Sequence, residues 1–145
     1  MAEQQQPTLM VNSQYIKDLS LEIPLAPQIF KKVTKQPQLK VDVNVDTKNI
    51  EGDVYNVDLN ITMNADIDDE KLFILELTYA ALVTLTVPEE HIQPILNIEI
   101  PRLIFPFARN IISQNLMEGG LPPIMMNPID FAALYMARQS AKDKN

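Results

Sequence analysis

The side chains that commonly do covalent chemistry are scarce in this sequence. His91 is the only histidine, and the 145 residues include no cysteine. Serine–histidine–aspartate and cysteine–histidine catalytic arrangements, and metal sites built on histidine or thiolate, therefore lack their parts. Glu89, Glu90 and His91 are adjacent, a spacing that spreads side chains around a helix rather than gathering them on one face. We expect His91 to be a surface or capping residue.

The carboxylates are the remaining candidates for chemistry. Two carboxylates can serve as a general acid and base where an apolar environment raises the pKa of one of them. Every Asp and Glu here is predicted to lie on a polar strand face or in a turn, and the phosphate-binding patterns GxxxxGK[ST] and GxGxxG do not occur. We expect a protein that is not an enzyme and uses no metal or cofactor.

Two pairs of residues on predicted strands share a face instead. Asp18 and Glu22 lie on one side of a strand predicted over 12–23, and Ile74 and Glu76 lie on one side of a later strand, because side chains two residues apart point the same way. From the pattern alone, these carboxylates are ordinary solvent-facing charges. The opposite face of the first strand is predicted to carry Tyr15, Lys17, Leu19, Leu21 and Ile23.

Alternating apolar and polar residues predict the elements that position these side chains. Strands are expected over 39–46, 55–63 and 72–87, joined by short turns into an antiparallel meander. A proline-rich crossing loop over 24–37 separates them from the first strand. Together with two helices near the end of the chain, they predict an α+β fold with a four-stranded antiparallel sheet.

The long helix, which ends at Gly119-Gly120, has more apolar surface than one sheet covers. Its apolar residues span roughly 180° of the helical wheel, where a surface helix usually shows about 100°. We expect it to pack on its own sheet and on a second copy of the chain, with Asn115 hydrogen-bonded across that interface. Pro94 and Pro101 are expected to interrupt regular structure before it, and Asp130 to cap a shorter second helix. The predicted interface residues are Leu75, Leu77, Ile104, Ala108, Ile111, Ile112 and Asn115.

Length and composition favour one cytosolic domain. The net charge of −7 argues against nucleic acid as a partner and favours basic partners. No leader and no run of about 18 apolar residues is present, so membrane insertion is not expected. We expect a polar tail over 1–11, a folded domain over 12–138 and a short tail over 139–145.

Four segments resemble the SecB family of bacterial protein-export chaperones. They are QYIKDLSLEIP (14–24), FILELTYA (73–80), LIFPFARNII (103–112) and GGLPPIMMNPIDFAALY (119–135). The resemblance covers about residues 12–138. It implies a homotetramer, a dimer of dimers whose long helices lie between two sheets. It also implies a chaperone that holds unfolded precursor proteins without ATP and delivers them to the SecA motor.

The resemblance also implies site residues. The family's SecA contact, an acidic patch on the outer sheet face, falls on Asp18, Glu22, Ile74 and Glu76. Its client-binding grooves are formed by the crossing loop, the loop between the helices, the second helix and the second strand. Carried over, the groove residues are Ile29, Phe30, Val33, Leu121, Ile124, Met125, Met126, Leu134 and Tyr135. The alternatives are that Phe30 fixes the loop to the core and that Met125 and Met126 fill the centre of the tetramer.

Two departures from the family and one alternative function stand beside this resemblance. Ala81 occupies a position where the family commonly has glycine, and the ending SAKDKN is shorter than family tails that make a second SecA contact. We therefore assign no tail residue to SecA. A SecB-like chaperone dedicated to one client, such as an antitoxin, would carry a similar groove.

Overall fold

One antiparallel sheet and a long helical segment make up the chain in our computed structural model, which describes residues 6–143. The strands are β1 (Thr8–Glu22), β2 (Gln38–Glu51), β3 (Val54–Ile67) and β4 (Glu70–Thr86), and the sheet order is β1-β4-β3-β2. The helices are α1 (Glu89–Pro94), α2 (Ile100–Glu118) and α3 (Phe131–Asp143). The predicted meander, crossing loop and two C-terminal helices are confirmed.

The sheet has one buried face and one polar face. From Val57 to the end of β3 the burial alternates, so that Leu59, Ile61 and Met63 are buried while Asn60 and Thr62 point to the other side. A period of two is what a strand with one covered face requires. We call the face packed on α2 the inner face and the opposite, polar face the outer face.

β1 contains two β-bulges that the sequence pattern did not indicate. The pairing with β4 shifts between Val11 and Ser13 and again between Ile16 and Asp18, which leaves Lys17 as an extra residue. An extra residue reverses the alternation on one side of it. The predicted grouping of Tyr15 and Lys17 with Leu19 is therefore wrong, since both side chains reach outer-face residues of β3.

The ends of the folded region also differ from the predicted ones. β1 begins at Thr8, which pairs with Thr86, rather than at residue 12. α3 continues to Asp143, beyond the predicted end at 138. Residues 1–5 of the predicted N-terminal tail and residues 144–145 of the predicted C-terminal tail lie outside the described residues.

The helical segment runs on through its prolines. α1 contains Pro94, and a π-helical turn over Ile95–Glu99 joins α1 directly to α2. In that turn the Ile100 N–H donates to the Ile95 carbonyl, five residues back. Regular α-helical hydrogen bonding is thus interrupted between Pro94 and Pro101, as predicted, but the chain stays helical throughout.

Most of the predicted self-association surface is core of the single chain. Five of its members are no more than 2% exposed because they lie where α2 packs on the inner face of the chain's own sheet. A side chain already buried in this way has no surface left to offer a second copy, so the assignment is corrected. The five are Leu75, Leu77, Ile104, Ala108 and Ile112.

The two other predicted interface residues are only partly buried. Ile111 packs at the margin of the core. The Asn115 side-chain amide donates to the Ile111 carbonyl at 2.8 Å, within its own helix. The prediction that Asn115 needs a partner in another copy is therefore wrong.

α3 contacts the rest of the chain at its start and again further along the helix. Asp130 caps it as predicted, since its Oδ1 accepts the Ala133 N–H at 3.0 Å. The buried Phe131 ring meets the Phe105 ring edge to face, with 5.8 Å between centroids. Further along, Arg138 donates to the Val45 carbonyl of β2.

Candidate binding surfaces

The outer face brings together the four residues of the predicted acidic patch. Glu22 pairs directly with Ile74 across β1 and β4, and Ser20 pairs with Glu76. Asp18 faces Thr78, one pair further along. Cross-strand partners share a face and lie about 5 Å apart. We call Asp18, Glu22, Ile74 and Glu76 the acidic surface; its three carboxylate residues are exposed and Ile74 is half-buried.

Ion pairs occupy the outer face on either side of the acidic surface. Lys17 Nζ lies 3.0 Å from Asp58 Oδ2, and this hydrogen bond together with the Asp58 charge raises the pKa of Lys17. Lys71 Nζ lies 3.1 Å from Asp66 Oδ1 at the other end. Tyr15 donates to Asn56 at 2.6 Å beside the first pair. These contacts join β1 or β4 to β3.

The crossing loop presents two neighbouring apolar residues in opposite ways. Ile29 is 2% exposed and belongs to the core, whereas Phe30 is 38% exposed. The Phe30 ring lies over Gly120, where a Cβ would stand 3.5 Å from ring atom Cε1. Gly120 has φ +80°, a conformation glycine adopts without strain. Ile29, rather than Phe30, is therefore the residue that fixes the loop to the core.

An open groove of about 520 Å³ lies between the crossing loop and the segment after α2. Its apolar walls come from Val33 and Leu39 on one side and from Ile124 and Met125 on the other. Met125 is 75% exposed. The prolines Pro37, Pro122 and Pro123 also line it. Because proline has no backbone N–H, the groove wall has no backbone hydrogen-bond donor at these positions.

A second groove of about 270 Å³ continues along β2. Val41 and Val43 line it opposite Pro128 and Ile129. The family resemblance includes the second strand among the groove elements, but no residue of β2 was predicted to bind clients, although Leu39 and Val41 are 42% and 39% exposed on the inner-face side. The sequence contained a signal for this groove, because the apolar residues of β2 form one continuous face: Leu39, Val41, Val43 and Val45.

Several predicted groove residues lie elsewhere. Leu121 and Met126, like Ile29, are less than 8% exposed and belong to the core. Leu134 packs against the core. Tyr135 lines a separate polar cavity of about 210 Å³ near Arg138 and Lys142. Of the predicted set, Phe30 and Met125 are exposed, and Val33 and Ile124 are partly so.

The two surfaces lie on opposite sides of the sheet. The grooves use the inner-face side of β2 and the loops beside it, and the acidic surface uses the outer face of β1 and β4. None of the helices formed by residues 6–143 has the length and apolar character needed to cross a bilayer. The arrangement defines an α+β protein with solvent-open grooves that have apolar residues in their walls and with a separate acidic surface.

Comparison with known proteins gives the same class. The family described as preprotein translocase subunit SecB matches residues 2–142. A protein-export protein SecB of Paramagnetospirillum magneticum is 50% identical over 133 residues, which are 91% of this chain and 86% of that protein. A protein-export protein SecB of Rhodospirillum rubrum is 44% identical over 136 residues, or 94% and 85% of the two chains.

One solved structure shares the fold at low sequence identity. It is a SecB-like chaperone of Mycobacterium tuberculosis in complex with a ChAD peptide from the HigA1 antitoxin. The TM-score is 0.69 at 10% identity, and the match covers 83% of this chain and 90% of that chain. The family match and the identities of 50% and 44% establish the relationship. The chain belongs to the SecB family of protein-export chaperones.

Proposed function

We propose that this chain is a cytosolic chaperone that holds unfolded precursor proteins in its grooves without ATP and delivers them to SecA through the acidic surface. The observation that carries the proposal is the separation of the two surfaces on opposite sides of one sheet. A client in the grooves then leaves the acidic surface free for a second partner. No catalytic role is assigned to any residue.

The grooves suit many clients rather than one. Met125 offers apolar contact in the first groove, and the thioether of methionine repacks against side chains of different shape. Each contact is weak, so a long client needs several grooves on one assembly. Because the grooves bind an unfolded chain and not a folded one, they shift the balance away from premature folding. The export names of the relatives at 50% and 44% identity favour this general role over a dedicated antitoxin client.

The acidic surface suits a small basic partner such as a SecA domain. Complementary charge speeds encounter and fixes orientation. Ile74, half-buried between Glu22 and Glu76, adds an apolar contact in the middle of the charged residues. A partner with basic side chains around one apolar side chain would match it.

A homotetramer is supported by the side of α2 that faces away from the sheet. Leu103 and Phe107 are 46% and 52% exposed, and with Ile111 they form an apolar ridge spaced four residues apart. Sedimentation of the purified chain should give a tetramer, and Phe107→Ser should shift it towards dimers or monomers. Ile50→Ser, at a site that is 51% exposed on β2, is the matched control and should leave the tetramer unchanged. A monomeric wild-type protein would contradict this proposal.

The two-surface function is tested with a pair of charge-introducing variants. Glu76→Lys should abolish most SecA binding and leave suppression of aggregation of a denatured precursor intact. Met125→Asp should weaken suppression of aggregation by at least about tenfold, because a buried apolar contact of this size is worth roughly 1.5–3 kcal/mol, and should leave SecA binding intact.

Matched controls separate these effects from general damage. Glu51→Lys reverses an exposed charge on β2, away from the acidic surface. Met136→Asp places a charge at a methionine that is 65% exposed on α3, outside both grooves. Both controls should behave like wild type in both assays. Loss of both activities in Glu76→Lys, or in Met125→Asp, would show that the surfaces do not act separately.

A further inference from the structure

Two lysines stand at the ends of the acidic surface, and each is next to a β-bulge. Lys17 is the extra residue of β1 where the pairing shifts between Ile16 and Asp18. Lys71 comes directly before the extra residue of β4, Leu72, where the pairing with β3 shifts between Ala65 and Asp66. Both lysines reach the outer face and bind side chains of β3.

Their partners are the two aspartates of β3 on that face. Lys17 Nζ lies 3.0 Å from Asp58, whose side chain is only 17% exposed. Lys71 Nζ lies 3.1 Å from Asp66 and 3.2 Å from the Asn64 side-chain oxygen. The outer-face residues of β3 between the two aspartates are uncharged: Asn60, Thr62 and Asn64. The ion pairs thus neutralise every charge that β3 contributes to this face.

The carboxylates of the acidic surface differ from those of β3. Asp18, Glu22 and Glu76 have no Lys, Arg or His within ion-pair distance among residues 6–143. β2, at the far edge of the sheet, has on the outer face two lysines and three acidic residues: Lys40, Lys48, Asp42, Asp46 and Glu51. Its net charge on this face is therefore −1, against −3 for the acidic surface around Ile74.

The bulge lets β1 present Lys17 without moving Asp18. Ile16 pairs with Tyr79 and Asp18 pairs with the next residue of β4, Thr78, so the ladder continues on either side of Lys17 as if it were absent. In a bulge two residues oppose one, and the extra side chain is free of the ladder's spacing. Lys17 can therefore extend towards Asp58 while Asp18 keeps its place in the acidic surface.

We propose that Lys17 and Lys71 are specificity-determining residues of the docking face. This inference rests on the proposed function, that the acidic surface binds SecA. By pairing with Asp58 and Asp66, the lysines leave most of the net negative charge of this face on the three carboxylates around Ile74. A partner with the matching arrangement is held, and a basic polymer without it finds few charges to bind. Specificity of this kind comes from limiting what wrong partners can use.

The test compares SecA with poly-lysine, a basic probe that lacks the apolar contact. At low salt, Lys17→Gln should strengthen poly-lysine binding about threefold, in line with the modest worth of an exposed charge pair, and should change SecA binding less. Lys71→Gln should do the same independently. Lys48→Gln removes a lysine of the same face that masks no aspartate and should have a smaller effect on poly-lysine.

A double variant isolates the masking. Lys17→Gln with Asp58→Asn removes the carboxylate that the single variant exposes, so poly-lysine binding should return to the wild-type level. The inference is overturned if Lys17→Gln gains no more than Lys48→Gln, or if the gain persists in the double variant. Either result can occur while Glu76→Lys still abolishes SecA binding. Retention of SecA binding in Glu76→Lys would instead overturn the proposed function itself.

Discussion

The grooves and the acidic surface are built from opposite kinds of structure. The first groove lies between segments 24–37 and 121–130, most of whose residues are outside helices and strands, and the second lies between segment 121–130 and β2. The acidic surface lies on β1 and β4, where backbone hydrogen bonds fix which side chains are neighbours. A surface with fixed spacing suits one partner of defined shape, whereas loop-built walls can adjust to many.

The two loop segments beside the grooves each contain a buried residue directly next to an exposed one, as with Ile29 beside Phe30 and Met126 beside Met125. The buried member of each pair anchors its segment to the core, and the exposed member remains available. The outer face needs no such anchors, because its strands hold the side chains in place.

The largest expected effect tests this anchoring. Met126→Ala should lower the free energy of unfolding by about 3 kcal/mol, since it removes a buried side chain and leaves a cavity. Met125→Ala, one residue earlier, should lower it by less than about 0.5 kcal/mol because Met125 is exposed. Chemical denaturation of the two variants measures the difference. Equal stabilities would show that Met126 is not an anchor and that the groove wall is one continuous surface.

The four residues of the acidic surface could be predicted because the strands alternate regularly over the segments that contain them. Asp18, Glu22, Ile74 and Glu76 lie on one side of each bulge, so a period of two groups them correctly. Tyr15 was predicted to lie on the wrong face because a bulge inserts an extra residue, and the pattern of apolar and polar residues does not reveal it. The masking by Lys17 was hidden for the same reason.

The grooves were less predictable because residue type does not say which neighbour is buried. Met125 and Met126 are identical in type, and only the path of the backbone after Gly120 decides their exposure. The wide apolar arc of α2 was predicted to pack on the sheet and on a second copy of the chain, but Ile104 and Ala108 were assigned to the second copy. Ile104 and Ala108 face the sheet, while Leu103 and Phe107 face outwards. Tertiary packing, not the helical period, makes that choice.

The smaller expected effect concerns salt, which should act on one surface and not on the other. At 0.1 M ionic strength, charges further apart than about 10 Å are largely screened. Raising the ionic strength from about 0.05 M to about 0.5 M should weaken SecA binding roughly tenfold, because complementary exposed charges drive that encounter. Client holding should not weaken, since it depends on apolar contact.

The Glu76→Gln variant should bind SecA more weakly at low salt, and its affinity for SecA should fall less when salt is added. Calorimetric titration of SecA and of an unfolded client into the purified protein measures both slopes. Parallel slopes would mean that SecA and clients use a common surface, and the division between the two sides of the sheet would then have no functional meaning.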